Sequence, residues 1–330
     1  PPSARVHKPR ARAAGPDSRA VASIETELDD KGREKLGIKL GDYLQGPVAV
    51  VADITGVGEK KSSIKVQADL AKAEMFIEPI SWRRPPTANT TASFTYLAGD
   101  ESGRRVEDLV IKGQNLSIKG DVFLNATGGM KSAKLSQVWL SDESNFTMTM
   151  EPDGDSQSIA INGKAFDARP IIKSMFSSGV ASARKSGSSP TLNISAQVDR
   201  VFANRGEILT GVTASLAVKN RAIANADIEG LFLSGKALAI RVKPNETGRQ
   251  LQIVSGDGGA ALRASNLYSK VAGGSLEFSA LLSSDGSSAI QNGRLVLRDF
   301  DVRNEAALAD IDSRGKAKKS GPRREGLSFT

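Results

Sequence analysis

Cysteine is absent from this chain of 330 residues, and histidine occurs only once, as His7. Without cysteine the chain can form no disulfide, thiol nucleophile or thiolate metal site. The single histidine lies in the basic, disordered-looking leader PPSARVHKPRARAAGPDSR, so we expect neither a Ser-His-Asp triad nor a histidine-rich metal site. These absences remove the commonest hydrolase mechanisms, so the sequence predicts a protein that is not an enzyme, with no catalytic residues, no metal and no cofactor.

Aromatic residues and long apolar runs are also scarce. Aromatics make up 5% of the chain, and no stretch approaches the roughly 20 apolar residues that a membrane-spanning helix needs. Glycine is abundant, with 32 residues, which is typical of many short strands joined by turns. The chain exceeds the roughly 250–300 residues at which single compact cores stop growing, so we expect two modules or one elongated body.

The formal net charge of +8 is concentrated at the two ends of the chain. Basic residues outnumber acidic ones in residues 1–20 and again in 314–325, which leaves the body between them close to neutral. A near-neutral body lacks the basic face that phosphate-backbone binding requires. The sequence therefore predicts no nucleic-acid partner, a basic flexible leader over 1–20 and a basic flexible tail over 313–330.

Alternation of apolar and polar residues predicts strands through most of the body. In segment 62–77 the alternation slips by one residue, which predicts a β-bulge inside one long strand. Paired prolines in SWRRPPTANT predict a loop over 81–90, because proline cannot donate to a ladder. Further strand patterns, separated by short turns, lie at 46–56, 92–98, 107–113, 114–125, 132–141, 145–152 and 158–166.

The second half of the chain repeats this pattern, which favours an antiparallel meander over βαβ units. A Ser- and Lys-rich link at 180–190 divides a first module, 21–179, from a second, 191–312. The first module is predicted to end in a helix at 167–179, and the second to contain helices near 258–272 and 304–312. The glycines of SGDGGAAL lack dinucleotide-binding spacing and indicate only the entry into the first of these two helices.

The sequence Phe-Asp-x-Arg occurs twice, at 166–169 and 300–303, each time between a strand pattern and a helix pattern. Asp and Arg two residues apart on an extended segment share a face and can pair with each other. General acid–base catalysis needs a second titratable group within reach, and none recurs beside either copy. The motif therefore predicts structural pairs, Asp167 with Arg169 and Asp301 with Arg303, at the ends of strands.

Strands with one apolar face and one polar face are compatible with two architectures. In a sandwich the apolar faces of two sheets meet and fill the interior. In a long sheet curled into a trough, those faces line a groove that must hold something apolar. Alternation alone does not distinguish the two.

The order of several phrases over residues 21–312 resembles the AsmA-like family of bacterial envelope proteins, in its YhdP-type branch. The first phrases are LDDKGREKLGI, GPVAVVADITG and KVQADLAKAEMFIEPISWRRPP, and INGKAFDARPII resembles the phrase that closes a module. The last are GDGGAALRASNLYSKVAGGSLEFSALL and NGRLVLRDFDVRNEAALADI, which resemble the family's C-terminal signature.

The resemblance implies a mainly β fold: an extended antiparallel β-sheet curled into an apolar groove, with a few short helices. It implies a section of a periplasm-spanning protein that shelters phospholipid acyl chains for passage between inner and outer membranes, with headgroups at the wet rim. The chain begins without Met, as an excerpt would, so the inner-membrane anchor is expected in a segment missing from it. Docking proteins are expected but not identified. The resemblance supplies no catalytic residues.

Alternation assigns candidate lipid-binding positions to the inward face of the strands, and a one-residue register error would exchange them for their neighbours. The alternative function is a non-enzymatic structural or adhesion β-sandwich array of the cell envelope. A polysaccharide-acting enzyme that uses Asp/Glu pairs is a more distant alternative. The candidate lining residues are Val48, Val50, Ile54, Ile64, Val66, Leu70, Leu276, Phe278, Leu295 and Leu297.

Overall fold

The structure is a computed structural model, and strands make up most of what it describes. The chain divides into two compact units, Pro1–Gly154 with Ser158–Ala160 and Asp155–Gln157 with Ile161–Thr330. The mainly β fold with a few short helices is confirmed. The described residues are 21–36, 38, 40–41, 43–55, 63–77, 80–97, 103–125, 129–176, 191–219, 222–283, 290–303 and 327–329.

The first unit is an antiparallel meander with a small second sheet. Strand β1 pairs with β3, and β3, β4, β7, β8, β9, β10 and β11 then pair in succession. Strands β2, β5 and β6 form the separate three-stranded sheet. The elements are β1 (Val21–Leu28), α1 (Asp30–Lys35), β2 (Leu44–Gln45), β3 (Val48–Thr55), β4 (Ser63–Asp69), β5 (Glu74–Ile77), β6 (Trp82–Arg84), β7 (Thr91–Leu97), β8 (Arg104–Gly113), β9 (Leu116–Leu124), β10 (Met130–Ser141) and β11 (Ser144–Asp153).

Helix α1 is held against the start of β3 by a buried arginine. Asp29 caps the helix, accepting a hydrogen bond from the Gly32 backbone N–H at 2.7 Å. Arg33 is only 5% exposed, and its guanidinium donates to the carbonyls of Leu28, at 2.9 Å, and Gly46, at 2.7 Å. The same guanidinium pairs with Asp30, so a short helix is fixed between two strands by one side chain.

The bulge predicted in 62–77 is instead a change of sheet. Strand β4 ends at Asp69, whose carboxylate accepts from the Ala71 N–H at 2.8 Å and so closes a tight turn. The chain then enters β5, which pairs in the small sheet. The apolar and polar positions shift by one residue both when a strand bulges and when the chain passes into a second sheet. The sequence pattern does not distinguish these two cases, and for this reason the prediction was wrong.

The second unit is also an antiparallel meander. Strands β13 to β19 pair in chain order, β20 pairs with β19, and β12, most of which belongs to this unit, lies beside β13. Its elements are β12 (Ser156–Asp167), α2 (Arg169–Phe176), β13 (Thr191–Phe202), β14 (Ile208–Lys219), β15 (Ala222–Phe232), β16 (Ala237–Asn245), β17 (Gly248–Ser255), α3 (Gly258–Ala264), β18 (Val271–Leu282), β19 (Ile290–Val302) and β20 (Leu327–Phe329).

Helix α3 starts where the sequence predicts but is shorter than 258–272. Asp257 caps it by accepting from the Ala260 N–H at 2.9 Å, and it ends at Ala264, with Asn266 at a φ of 61°. Leu267 and Tyr268 continue the apolar spacing in the sequence, yet they are 61% and 41% exposed. The remaining domain predictions, at 1–20, 180–190, 304–312 and most of 313–330, fall outside the described residues.

The core of the second unit lies where α3 covers the ends of the strands. The close approach of the helix depends on glycine, because a Cβ at Gly259 would lie 2.6 Å from the Val271 carbonyl oxygen. Partly buried residues such as Ile172 and Ile253 pack around this cluster. Its buried members are Ala203, Leu209, Val212, Phe232, Leu238, Ala260 and Ala264.

Candidate functional site

One face of the first unit's main sheet is apolar across all of its strands. Directly opposed residues on neighbouring antiparallel strands share a face, so the pairing registers define rows that cross the sheet. The base row is Thr26, Val50, Ala68, Ala92, Ile111, Ile118, Val138 and Phe146. The outer row, nearer the opposite strand ends, is Ala22, Ile54, Ile64, Tyr96, Val106, Val122, Ala133 and Met150.

The other face of the same sheet is polar. One row on it contains Ser23, Asp53, Lys65, Thr95 and Glu107. The two faces therefore differ sharply in chemistry along the whole width of the sheet, as alternation in the sequence predicts.

The apolar face is buried at one end and half-exposed at the other. We call the end of the sheet near Val48, Leu70, Leu116 and Leu140 the closed end, since these side chains are only 3%, 4%, 2% and 5% exposed. In the outer row most side chains are only half-buried, although Ala133 is 4% exposed. A filled sandwich would bury the inward side chains along the whole strand. This face instead leaves its outer row accessible.

All six first-unit lining candidates lie on or at the end of this apolar face. Val48 and Leu70 are buried at the closed end, whereas the other four are half-buried. Ile54 and Ile64 are direct cross-strand partners, and Val66 stands opposite Ala52. The candidates on β3 and β4 thus share one face of the sheet.

The second-unit candidates occupy two different environments. Leu276 stands opposite Leu297 and Phe278 opposite Leu295 on β18 and β19. A Cβ at Gly258 would lie 3.2 Å from Leu276 Cβ and 3.0 Å from Leu297 Cδ1, so the start of α3 covers that pair. Phe278 is half-buried and Leu295 is 54% exposed. Their row across the sheet is Ala196, Ala214, Ile228, Ile240, Ile253, Phe278 and Leu295.

The first Phe-Asp-x-Arg motif forms the predicted ion pair. Arg169 Nε lies 2.7 Å from Asp167 Oδ1, and Nη2 donates to Oδ2 at 2.8 Å. The Arg169 backbone N–H also donates to Asp167 Oδ1, at 3.0 Å, where α2 begins. In the second copy Asp301 lies within β19, and the Arg303 N–H donates to the Lys270 carbonyl at 2.9 Å.

A cavity of about 570 Å³ lies on the polar side of the second unit. Residues with hydroxyl or amide side chains make up half of its lining, together with Asp227, Glu229, Ile161, Ala196 and Ala214. Arg241 pairs with both carboxylates, its Nε lying 3.5 Å from Asp227 Oδ1. None of the predicted lining residues borders this cavity.

A second cavity, of about 330 Å³, lies in the first unit where the sequence predicts only a loop. That prediction was wrong for Trp82–Arg84, which form β6 and pair with β5. The paired prolines follow the strand, at positions 85 and 86, and so leave the ladder intact. The cavity is lined by Trp82, Arg83, Arg84, Pro85, Thr87, Gln114 and Asn115.

Among the residues that the structure describes, no three acidic or histidine side chains come together in a way that could hold a metal ion. No helix in the described part of the chain has both the length and the apolar character needed to cross a bilayer.

Comparisons with protein-family models, with curated proteins and with solved structures found no match to the chain. Its function therefore has to be inferred from its own geometry.

Proposed function

We propose that the apolar faces of the two units shelter phospholipid acyl chains, as a section of a periplasm-spanning protein that passes lipid between inner and outer membranes. The observation that carries the proposal is the outer row of the first unit. It is apolar on every strand of the main sheet of this unit, β1, β3, β4 and β7 to β11, yet its large side chains remain half-exposed.

Half-exposed apolar rows favour an apolar occupant. Removing apolar surface from water is worth roughly 25 cal/mol per Å², or about 0.8 kcal/mol for each buried CH₂. The rows consist mostly of Ala, Val, Ile and other medium-sized side chains, which offer little hydrogen bonding. Because such contacts are non-directional, an acyl chain can shift along the face without breaking specific bonds. Passive sheltering of this kind needs no catalytic group.

The decisive experiment is to purify the full chain from a bacterial host without detergent and to measure bound phospholipid by native mass spectrometry. Val66 and Phe278 lie on the apolar faces, so the double variant Val66→Asp/Phe278→Asp places a carboxylate among the acyl chains of each unit. Val51 and Val254, 39% and 38% exposed, lie on the opposite, polar faces and give a matched control, Val51→Asp/Val254→Asp.

We expect near-stoichiometric phospholipid in the parent and in the control, and its loss from the apolar-face variant while circular dichroism is unchanged. A folded parent without lipid would contradict the proposal and favour the structural β-sandwich array. Equal lipid in both double variants would also contradict it, since binding would then be independent of the face.

A further inference from the structure

The cavity beside β6 has a chemistry that the apolar faces lack. Two guanidinium groups, an indole and two amide side chains border its 330 Å³, and no carboxylate is among the lining residues. With two arginines and no acidic residue in its lining, the cavity is attractive to an anion.

Arg84 is the residue that defines this site. Its Nε atom is buried, with less than 1 Å² exposed, and has no hydrogen-bond partner in the described part of the protein. A buried donor left unpaired costs roughly 1–3 kcal/mol, and more when it belongs to a charged group. Arg84 also lines the cavity, and a phosphate group presents paired oxygens that match a guanidinium fork.

The position of Arg84 connects the cavity to the closed end of the apolar face. A Cβ at Gly113 would lie 3.2 Å from Arg84 Nη2 and 3.0 Å from Thr90 Oγ1. Thr90 is 2% exposed, and its carbonyl accepts from the Leu70 N–H at 2.8 Å. Gly113 stands opposite Leu116, another closed-end residue. The guanidinium therefore lies where the buried apolar side chains end.

Arg83 has a different role from Arg84. Its Nη1 lies 3.0 Å from Glu74 Oε1, and its guanidinium carbon lies 4.5 Å from the centre of the Phe76 ring. These contacts hold it in place and partly neutralise its charge. Arg83 is thus a fixed, partly neutralised cation in the lining of the cavity. Arg84 remains the residue with the greater capacity to bind an acceptor.

We propose that this cavity binds the phosphate of a phospholipid headgroup, with Arg84 as the principal ligand. The inference rests on the proposed function. The headgroup is favoured over free phosphate because Trp82 and Pro85 line the cavity, and because Arg84 lies beside Gly113, the cross-strand partner of the closed-end residue Leu116. An indole suits a boundary between apolar and polar groups. The acyl chains would then extend from the closed end along the apolar face.

The test follows the fluorescence of Trp82 in the full chain. The protein has two tryptophans, so Trp139→Phe leaves Trp82 as the only indole. Three probes are titrated: dihexanoyl phosphatidylglycerol below its micelle concentration, dihexanoylglycerol, which lacks phosphate, and inorganic phosphate. Each is measured in this background and with Arg84→Gln, Arg84→Lys or the control Arg105→Gln added. Arg105 pairs with Glu107, and neither residue borders the cavity.

We expect dihexanoyl phosphatidylglycerol to bind saturably and Arg84→Gln to weaken it by about tenfold or more. Arg84→Lys should recover only part of the loss, because an ammonium cannot form the paired contact, and Arg105→Gln should bind like the parent. Should Arg84→Gln disturb folding, Gln114→Ala tests the same cavity from an exposed turn, with an expected loss of about fivefold.

Equal phosphatidylglycerol binding by the parent, Arg84→Gln and Gln114→Ala would overturn the headgroup site. Binding of dihexanoylglycerol as tight as that of phosphatidylglycerol would also overturn it, yet would leave acyl-chain sheltering intact. Binding of inorganic phosphate alone, lost in Arg84→Gln, would assign the cavity to free phosphate. That result would overturn the headgroup proposal and leave acyl-chain sheltering to be decided by the native mass spectrometry.

Discussion

At the scale of single residues, sequence patterns predicted which side chains pair within one segment better than which residues surround a given side chain. The Asp167–Arg169 pair could be predicted because both partners lie two residues apart on one extended segment, so local geometry alone brings them together. Arg84 could not be assigned a role in the same way. Arg84 lies close to Gly113, which also lies close to Thr90, and no local sequence pattern connects either residue to β6.

Gly259 illustrates a residue whose importance is set by backbone contact. A Cβ there would lie 2.6 Å from the Val271 oxygen and 3.0 Å from Ala272 Cα, and neither atom can move without shifting β18. We expect Gly259→Ala to lower the free energy of unfolding by about 1–3 kcal/mol in urea titrations. Gly256→Ala is the control, because its Cβ would meet Lys236 Cβ at 3.4 Å, an ordinary van der Waals distance. Similar midpoints for the two variants would contradict this account.

At the scale of elements, the sequence predicted the start of α3 better than its end. Asp257 marks the start of α3 through its own capping hydrogen bond, a local signal. The end of α3 depends on tertiary packing: the helix stops at Ala264, where Asn204 Nδ2 donates to the Ala264 carbonyl at 2.9 Å from a turn far away in the sequence. The strand over 62–77 was mispredicted for the same reason, since its second half pairs with β2 and β6.

The attachment of α1 provides a test at this scale. Replacing Arg33 by Met keeps the apolar stem but leaves the Leu28 and Gly46 carbonyls without their donor and Asp30 without its partner. We expect Arg33→Met to destabilise the first unit by about 3 kcal/mol. Lys31→Met, at an exposed position of the same helix, should change stability by no more than about 0.5 kcal/mol. Urea unfolding of both variants measures the difference, and equal destabilisation would show that the Arg33 contacts contribute little.

At the scale of the whole molecule, alternation predicted the meander, the identity of the apolar faces and the register of their candidate residues. It could not choose between a filled sandwich and an open face, because the sequence of one strand does not show what lies above it. The structure adds the missing quantity, the exposure of each row: the closed end of the first unit is buried, whereas its outer row is half-exposed. In the second unit α3 covers Leu276 and Leu297 but leaves Leu295 exposed.

An apolar face in each unit predicts that each unit contributes its own share of bound lipid. Val66 lies in the first unit and Phe278 in the second, and each has its own cross-strand row. A carboxylate among acyl chains would penalise only the chains that touch it, because burying an unpaired charge is a local cost. We therefore expect Val66→Asp and Phe278→Asp each to retain part of the phospholipid that the parent carries, and the double variant to retain none. Native mass spectrometry counts the lipids in each case. Complete loss from either single variant would instead mean that the two faces hold lipid as one site, and a conduit built from independent segments would then be the wrong description.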